Sequence, residues 1–431
     1  MSAVAQSLPI RRNTLLLSAS LAANSAMLQL SAAVASLTLV LVLDVEGLLG
    51  LGPAIVLGCG ALAAVPAGRA MDRVGRVPVL VGGFAVGAAG CGLAALGSAT
   101  ATAVLVLLGL ACVGTANATA LLSRTAAGDM YPPERRARGI ALVLFGSVFG
   151  AILGPAVFSP MLSGHQLDGD ALAPLWLAAG GIMLVGLALV AGVRPDPRRI
   201  AQLLAQRDRE DAALAAGGGA EASVPGVADP PASSDTPLRE LLRRPGVVPA
   251  LLAAQASFAV MVGVMTLTGA IVVDHQHHAA HHVFPIIAAH VVGMYGLVIV
   301  VGDAIDRIGR TPALAGGLIV MAASVISLLW VESVPATAVA LFGLGIGWNF
   351  SFVAATAELA DCTEPWERGK LLGFNDLLSG ATGAGLALLG GYALTALGVA
   401  ALAIGGTALV LAPALWIVGQ ARTPAADGAI H

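Results

Sequence analysis

The chain has 431 residues and a net charge of −3; it is 57% hydrophobic and only 11% charged. Soluble domains carry about 25% charged residues, so an ordinary globular enzyme is excluded. Apolar runs of roughly 18 residues or more recur from end to end, each long enough to cross a bilayer as a helix.

The periodicity predicts twelve spans: 14–43, 48–67, 78–97, 101–123, 139–160, 174–193, 247–273, 283–301, 312–330, 336–358, 371–397 and 399–419. The first follows Arg11-Arg12 and has no short apolar core with a cleavage site, so it reads as a retained helix. Between the sixth and seventh spans lies the longest polar segment, 194–246, whose first part, 197–215, reads as a short amphipathic helix and whose remainder reads as a flexible linker. The chain thus divides into a half at 1–193, a linker at 194–246 and a half at 247–431. The expected fold is all-α and integral to the membrane: twelve helices in two pseudo-symmetric halves of six. The many glycines, 54 in all, suit close helix approach in lipid. Four cysteines, Cys59, Cys91, Cys112 and Cys362, have no metal-finger spacing and indicate no disulfide framework.

With both termini in the cytoplasm, all 22 Lys and Arg residues fall on the inner side. They include Arg69, Arg73 and Arg76 after span 2, and Arg124, Arg135, Arg136 and Arg138 after span 4. That bias orients a membrane protein. It places the loop between spans 7 and 8 outside.

The halves repeat. Gly68-Arg-Ala-Met-Asp72-Arg73-Val-Gly75-Arg76 returns as Gly302-Asp-Ala-Ile-Asp306-Arg307-Ile-Gly309-Arg310, 234 residues later (68 to 302). A second match sets Asp129, Pro132, Glu134 and Arg135 against Asp361, Pro365, Glu367 and Arg368. Parallel six-helix repeats with a substrate site between them are a known transporter plan. The duplicated Gly-x-x-x-Asp-Arg-x-Gly-Arg loop resembles the signature of the major facilitator superfamily, and the resemblance covers nearly the whole chain. It implies alternating access, with the Asp and Arg residues of the two loops latching the inner side while the outer side is open.

The densest chemistry lies between Met261 and Met294. Six of the eight histidines are here: His275, His277, His278, His281, His282 and His290. Topology divides them. Asp274 and the first five histidines form an outer turn suited to capturing a metal ion. Met261 and Met265 on span 7 lie at depths that match His290 and Met294 on span 8; if those helix faces meet, the four side chains converge near the middle of the membrane. At 1.5 Å per residue, Met265 and His290 lie about 10–12 Å below the outer ends of their helices, and Met261 and Met294 about 17–18 Å. The i, i+4 spacing puts each pair on one helix face. Thioethers favour Cu(I), and imidazole suits copper, nickel and zinc. An ionisable residue within a span is a functional candidate.

Met-x-x-x-Met on span 7 and His-x-x-x-Met on span 8 resemble the CcoA-like copper importers of this superfamily, which supply copper for assembly of cbb3-type cytochrome oxidase. The resemblance implies metal-binding roles for Met261, Met265, His290 and Met294, and copper as the transported substrate rather than a cofactor. It also implies a bacterial inner-membrane location and a cytosolic copper chaperone as receiver. The partners expected are copper and the lipid bilayer, with no nucleic acid. No nucleotide loop or catalytic constellation is present, so the chain is read as a transporter and not an enzyme. Other polar groups within or near spans are Asn24, Gln29, Asn117, Gln255, Asn349, Asn375 and Asp376; most are expected to tie helices together. Three further readings stay open. One is a carrier of another divalent metal. Another is a carrier of an organic solute such as a drug, sugar or vitamin, which predicts a wide cavity with aromatics and a polar cluster from both halves. The last is a copper-binding sensor that moves nothing.

Overall fold

The computed structural model describes residues 8–43, 51–162, 169–215, 236–270, 272, 276 and 283–422. Among them there is no strand, as expected of a chain whose backbone groups must be satisfied internally in lipid. Among the described residues nine helices are long and apolar enough to cross a membrane, or ten when the bent pair Ile286–Gly296 and Val298–Ile308 counts as one. The other two expected spans are Ile10–Leu43 and the first part of the 55-residue helix Arg368–Arg422. That helix breaks at Gly398, at φ 73°, where span 11 gives way to span 12. The amphipathic segment is helical over Pro197–Ala215. The glycine-rich part of the linker, 216–235, lies outside the described residues.

Glycines of the repeated loop do two different jobs. Gly75 (φ 104°) and Gly309 (φ 93°) make the turn from span 2 into span 3 and from span 8 into span 9. A left-handed backbone favours glycine there. Gly68 and Gly302 are helical and serve close approach. A Cβ at Gly68 would collide with the Gly369 carbonyl, and one at Gly302 would press on Ala137 and Ala141. The contact of span 2 with span 11 continues upward, with Gly373 against Ala64 and Gly380 against Ala61 and Leu57. Small residues thus hold the two halves together at the arginine-rich end of the bundle, by the van der Waals packing that drives helix association in lipid.

Three spans depart from simple rods. Span 4 (Ala103–Leu121) continues as Ser123–Met130, beyond the expected end at residue 123. Arg124 and Asp129, which read as loop charges, are buried within this extension. Span 5 breaks at Phe145 between Arg136–Leu144 and Gly146–Leu162. Span 8 runs Val283–Val291, loosens into a π-helical turn at Val292–Gly296, and resumes at Val298–Ile308, bent by 46°.

Candidate functional site

Between the halves lies a cavity of about 270 Å³, walled by both. Spans 1, 2, 4 and 5 contribute Asn24, Leu57, Asn117 and Ser147; spans 7, 8, 10 and 11 contribute Phe258, Met261, Met294, Tyr295, Trp348, Phe352, Asp376 and Ser379. That volume is just below the roughly 300–1,000 Å³ of small-molecule sites, and it is much larger than the coordination shell of one dehydrated metal ion, whose donors sit about 2.0–2.3 Å away.

One wall is aromatic. Trp348 and Phe352, one helical turn apart on span 10, stack with centroids 4.5 Å apart and planes at 14°. Tyr295 of span 8 meets Trp348 edge-on at 5.9 Å. The Arg124 guanidinium covers the Phe352 ring at 4.9 Å, a cation–π contact strengthened by desolvation. Arg124 also pairs with Asp376 of span 11 across the boundary between halves. Asn375 donates to the same Asp376 oxygen at 3.3 Å. Nearby, Asn24 donates to Asn117 at 2.9 Å, and Gln255 donates to the backbone and side-chain oxygens of Asn375 and to Ser379, each at 3.1 Å. These amides tie helices together, as expected. Several buried polar atoms around the cavity have no partner: Asp376 Oδ2, Asn24 Oδ1 and the Trp348 indole N–H. Native interiors leave few such atoms orphaned.

The four residues singled out on spans 7 and 8 are distributed as follows. Met261 and Met294 line the cavity. Met265 is half-buried and packs against a smaller apolar cluster that contains Val272, Ile286 and Leu341. His290 is buried, with Nδ1 2.9 Å from the Leu341 carbonyl of span 10 and Nε2 unpartnered. Among the described residues, no cluster of three or more His, Cys, Asp or Glu side chains is placed to hold a metal ion. Asp274, His275, His277, His278, His281 and His282 lie outside the described residues. Cys362, beyond the end of span 10, donates to the Pro245 carbonyl at 3.1 Å. Burial, then the Glu358 carboxylate, push its thiol up to about 12, so the metal-binding thiolate is scarce there at neutral pH.

At the arginine-rich end, the repeated loops build two matching charge clusters. Arg76 pairs with Asp72 and Asp129, each at 2.7 Å, and donates to the Pro365 carbonyl of the other half. Arg310 pairs with Asp306 at 2.7 Å and Asp361 at 3.0 Å, and donates to the Pro133 carbonyl. Each cluster is completed by an arginine from the opposite half: Arg368 on Asp129 at 2.7 Å, and Arg136 on Asp361. Asp72 also accepts from the Gly369 and Lys370 N–H groups opening span 11, and Asp306 from those of Ala137 and Arg138 opening span 5. Carboxylates there satisfy orphan amides at a positive helix end. Arg73 and Arg307, also in the motif, are exposed.

This geometry corrects the second repeat match. Arg136 and Pro133, not Arg135 and Pro132, correspond to Arg368 and Pro365, at a uniform offset of 232 (136 to 368) that also carries Asp129 onto Asp361. The arginine run at 135, 136 and 138 hid the register; the paired contacts reveal it. Arg124, one residue beyond an apolar run in sequence, is likewise more than a topological charge: it is buried and pairs across the halves.

Comparison with known proteins agrees with the architecture. The model of the Major Facilitator Superfamily matches residues 14–302. The riboflavin transporter RfnT of Brucella anthropi is 31% identical over 321 residues, covering 74% of this chain and 73% of that protein. An uncharacterized MFS-type transporter of Bacillus subtilis, YddS, is 26% identical over 376 residues, covering 85% of this chain and 81% of its own. Among solved structures, the E. coli fucose:proton symporter FucP superposes with a TM-score of 0.69 at 13% identity, covering 94% of this chain and 98% of its own. The human organic anion transporter MFSD10 gives 0.69 at 16%, covering 95% and 100%. The matching fold, the duplicated loops and the family model together establish that this chain belongs to the Major Facilitator Superfamily.

Proposed function

We infer that this transporter carries a small, planar, heteroaromatic organic solute, with riboflavin as the leading candidate, across a bacterial inner membrane by alternating access. The observation that carries this reading is the cavity wall: a stacked Trp348–Phe352 pair beside unpartnered donor and acceptor atoms supplied by both halves. Stacked rings favour a flat aromatic ligand, and the uncommitted polar atoms fix its orientation. The similarity to a riboflavin transporter points to the same class. With both termini cytoplasmic, the paired charge clusters close the inner side, and transport proceeds when they part.

Copper import is the second reading. It is favoured by Met261 and Met294 lining the same cavity and by the buried, unpartnered Nε2 of His290. In that case the histidine turn collects the ion and a cytosolic chaperone receives it.

One experiment separates them. Proteoliposomes containing the purified protein are assayed for uptake of labelled riboflavin and, separately, labelled copper. Riboflavin uptake that falls at least tenfold in Trp348→Ala and changes little in His290→Ala supports the solute reading. Copper uptake that is lost in Met261→Ala and His290→Ala, with no riboflavin uptake, overturns it.

A further inference from the structure

Asp376 is unusual among the cavity residues. Among the described residues it is the one carboxylate on the wall, and its two oxygens are used differently. Oδ1 takes both the Arg124 guanidinium and the Asn375 amide. Oδ2 is buried and has no partner. Arg124 is fixed in turn against Phe352, and Phe352 against Trp348, so the carboxylate stands one guanidinium away from the aromatic stack. The indole N–H of Trp348, on the same cavity, is also buried and unpartnered. A carboxyl oxygen left bare in a desolvated site is costly unless something bonds to it. The Arg124 guanidinium and the Asn375 amide both engage Oδ1 and leave Oδ2 uncommitted.

We propose that Asp376 Oδ2 is the polar reading point of the solute site, accepting from a ring N–H of a solute that stacks on the aromatic wall. The ligand class this selects is a neutral heteroaromatic carrying a lactam or imide edge, stacked on the Trp348–Phe352 wall. The isoalloxazine ring of riboflavin has such an edge, its N3–H flanked by two carbonyls. A purely hydrocarbon ring, or one whose edge nitrogen is alkylated, leaves Asp376 Oδ2 desolvated and without a donor, and a site built to hydrogen-bond its ligand rejects such analogues strongly.

The proposal rests on the organic-solute reading of the cavity and is tested with the wild-type protein, so that folding of a variant is not at issue. Binding of riboflavin and of N3-methylriboflavin to the purified transporter is measured by flavin fluorescence. The methylated analogue is expected to bind more weakly by on the order of ten- to a hundredfold, the effect of leaving one buried acceptor unsatisfied. Asp376→Asn should shrink that discrimination several-fold. Trp348→Phe, which shrinks the stacking surface, should weaken both flavins alike and leave the discrimination intact. Equal binding of the two flavins by the wild type overturns the assignment of Asp376 while leaving the solute reading standing. Failure of both flavins to bind overturns the two together.

Discussion

Arg124 illustrates what a single side chain can conceal. In sequence it is one more cation beyond an apolar run; in the fold it is fully buried, joins the two halves through Asp376 and covers an aromatic ring. Removing one member of a buried pair leaves an uncompensated charge, typically at a cost of about 3–5 kcal/mol. Arg124→Ala should therefore lower thermal stability in detergent sharply, and the double variant Arg124→Ala/Asp376→Ala should recover part of the loss; additive losses would show that the pair contributes nothing as a pair. Glu367, outside the spans, makes a pH-dependent case. Burial alone would raise its carboxyl, but hydrogen bonds from Arg244, Thr236 and the Glu364 N–H hold it below its ordinary 4.5. A depressed carboxylate contributes stability that is fully present above its unfolded value and is lost as pH falls through the folded one. The stability gap between wild type and Glu367→Gln should stay constant from pH 8 to about pH 6 and close in acid below the ordinary carboxyl range. A gap that persists there would rule out ionisation as its source. Sequence gives the sign of each charge; depth and partner come only from packing.

Among elements, the spans and their repeated loops were legible because hydropathy and glycine placement report directly on backbone constraints. Gly75 and Gly309 had to be glycine for their backbone angles, and Gly68 and Gly302 for close approach. The seam of spans 2 and 11 makes a sharp prediction. Gly68→Ala places a methyl against the Gly369 carbonyl, and overpacking of this kind costs about 1–3 kcal/mol. The closed arginine-rich end should become less populated by roughly five- to 150-fold, at about 1.4 kcal/mol per factor of ten. A cysteine introduced at Ala64 should then react faster with an impermeant thiol reagent applied from that side; an unchanged rate would mean the seam yields without opening. The π turn of span 8 was not legible. It leaves Met294 on the cavity and His290 against span 10, a separation that counting in steps of four on a regular helix does not foresee.

For the whole molecule, the twelve-span plan and the duplication were readable because they are linear patterns. The cavity was not, since its aromatics are few and scattered until spans 8 and 10 bring Tyr295, Trp348 and Phe352 together. The crossed charge clusters carry the prediction at this scale. Arg368→Asp should abolish transport by opposing Asp129, and the exchanged pair Asp129→Arg/Arg368→Asp should restore a measurable part of it. No recovery would argue that Arg76, shared with Asp129, tolerates only the native arrangement. The two clusters also differ in exposure: the side chains of Arg76 and Asp129 are 0% accessible, whereas Arg310 and Asp361 reach 13% and 24%. Water reaches the second cluster more easily, so its pairs are the more readily screened by salt.

The exchange of arginines between clusters has a consequence for how the protein is assembled. Asp129 of one half is neutralised by Arg368 of the other, and Asp361 by Arg136. A six-helix half made alone would therefore carry a carboxylate stripped of one of its two guanidinium partners and a guanidinium stripped of its carboxylate, on a face of bare glycines. Produced as two polypeptides, 1–215 and 216–431, the fragments should depend on each other for survival, each protected from degradation only in the presence of its complement, like subunits of an obligate heterodimer that happen to be encoded in one chain.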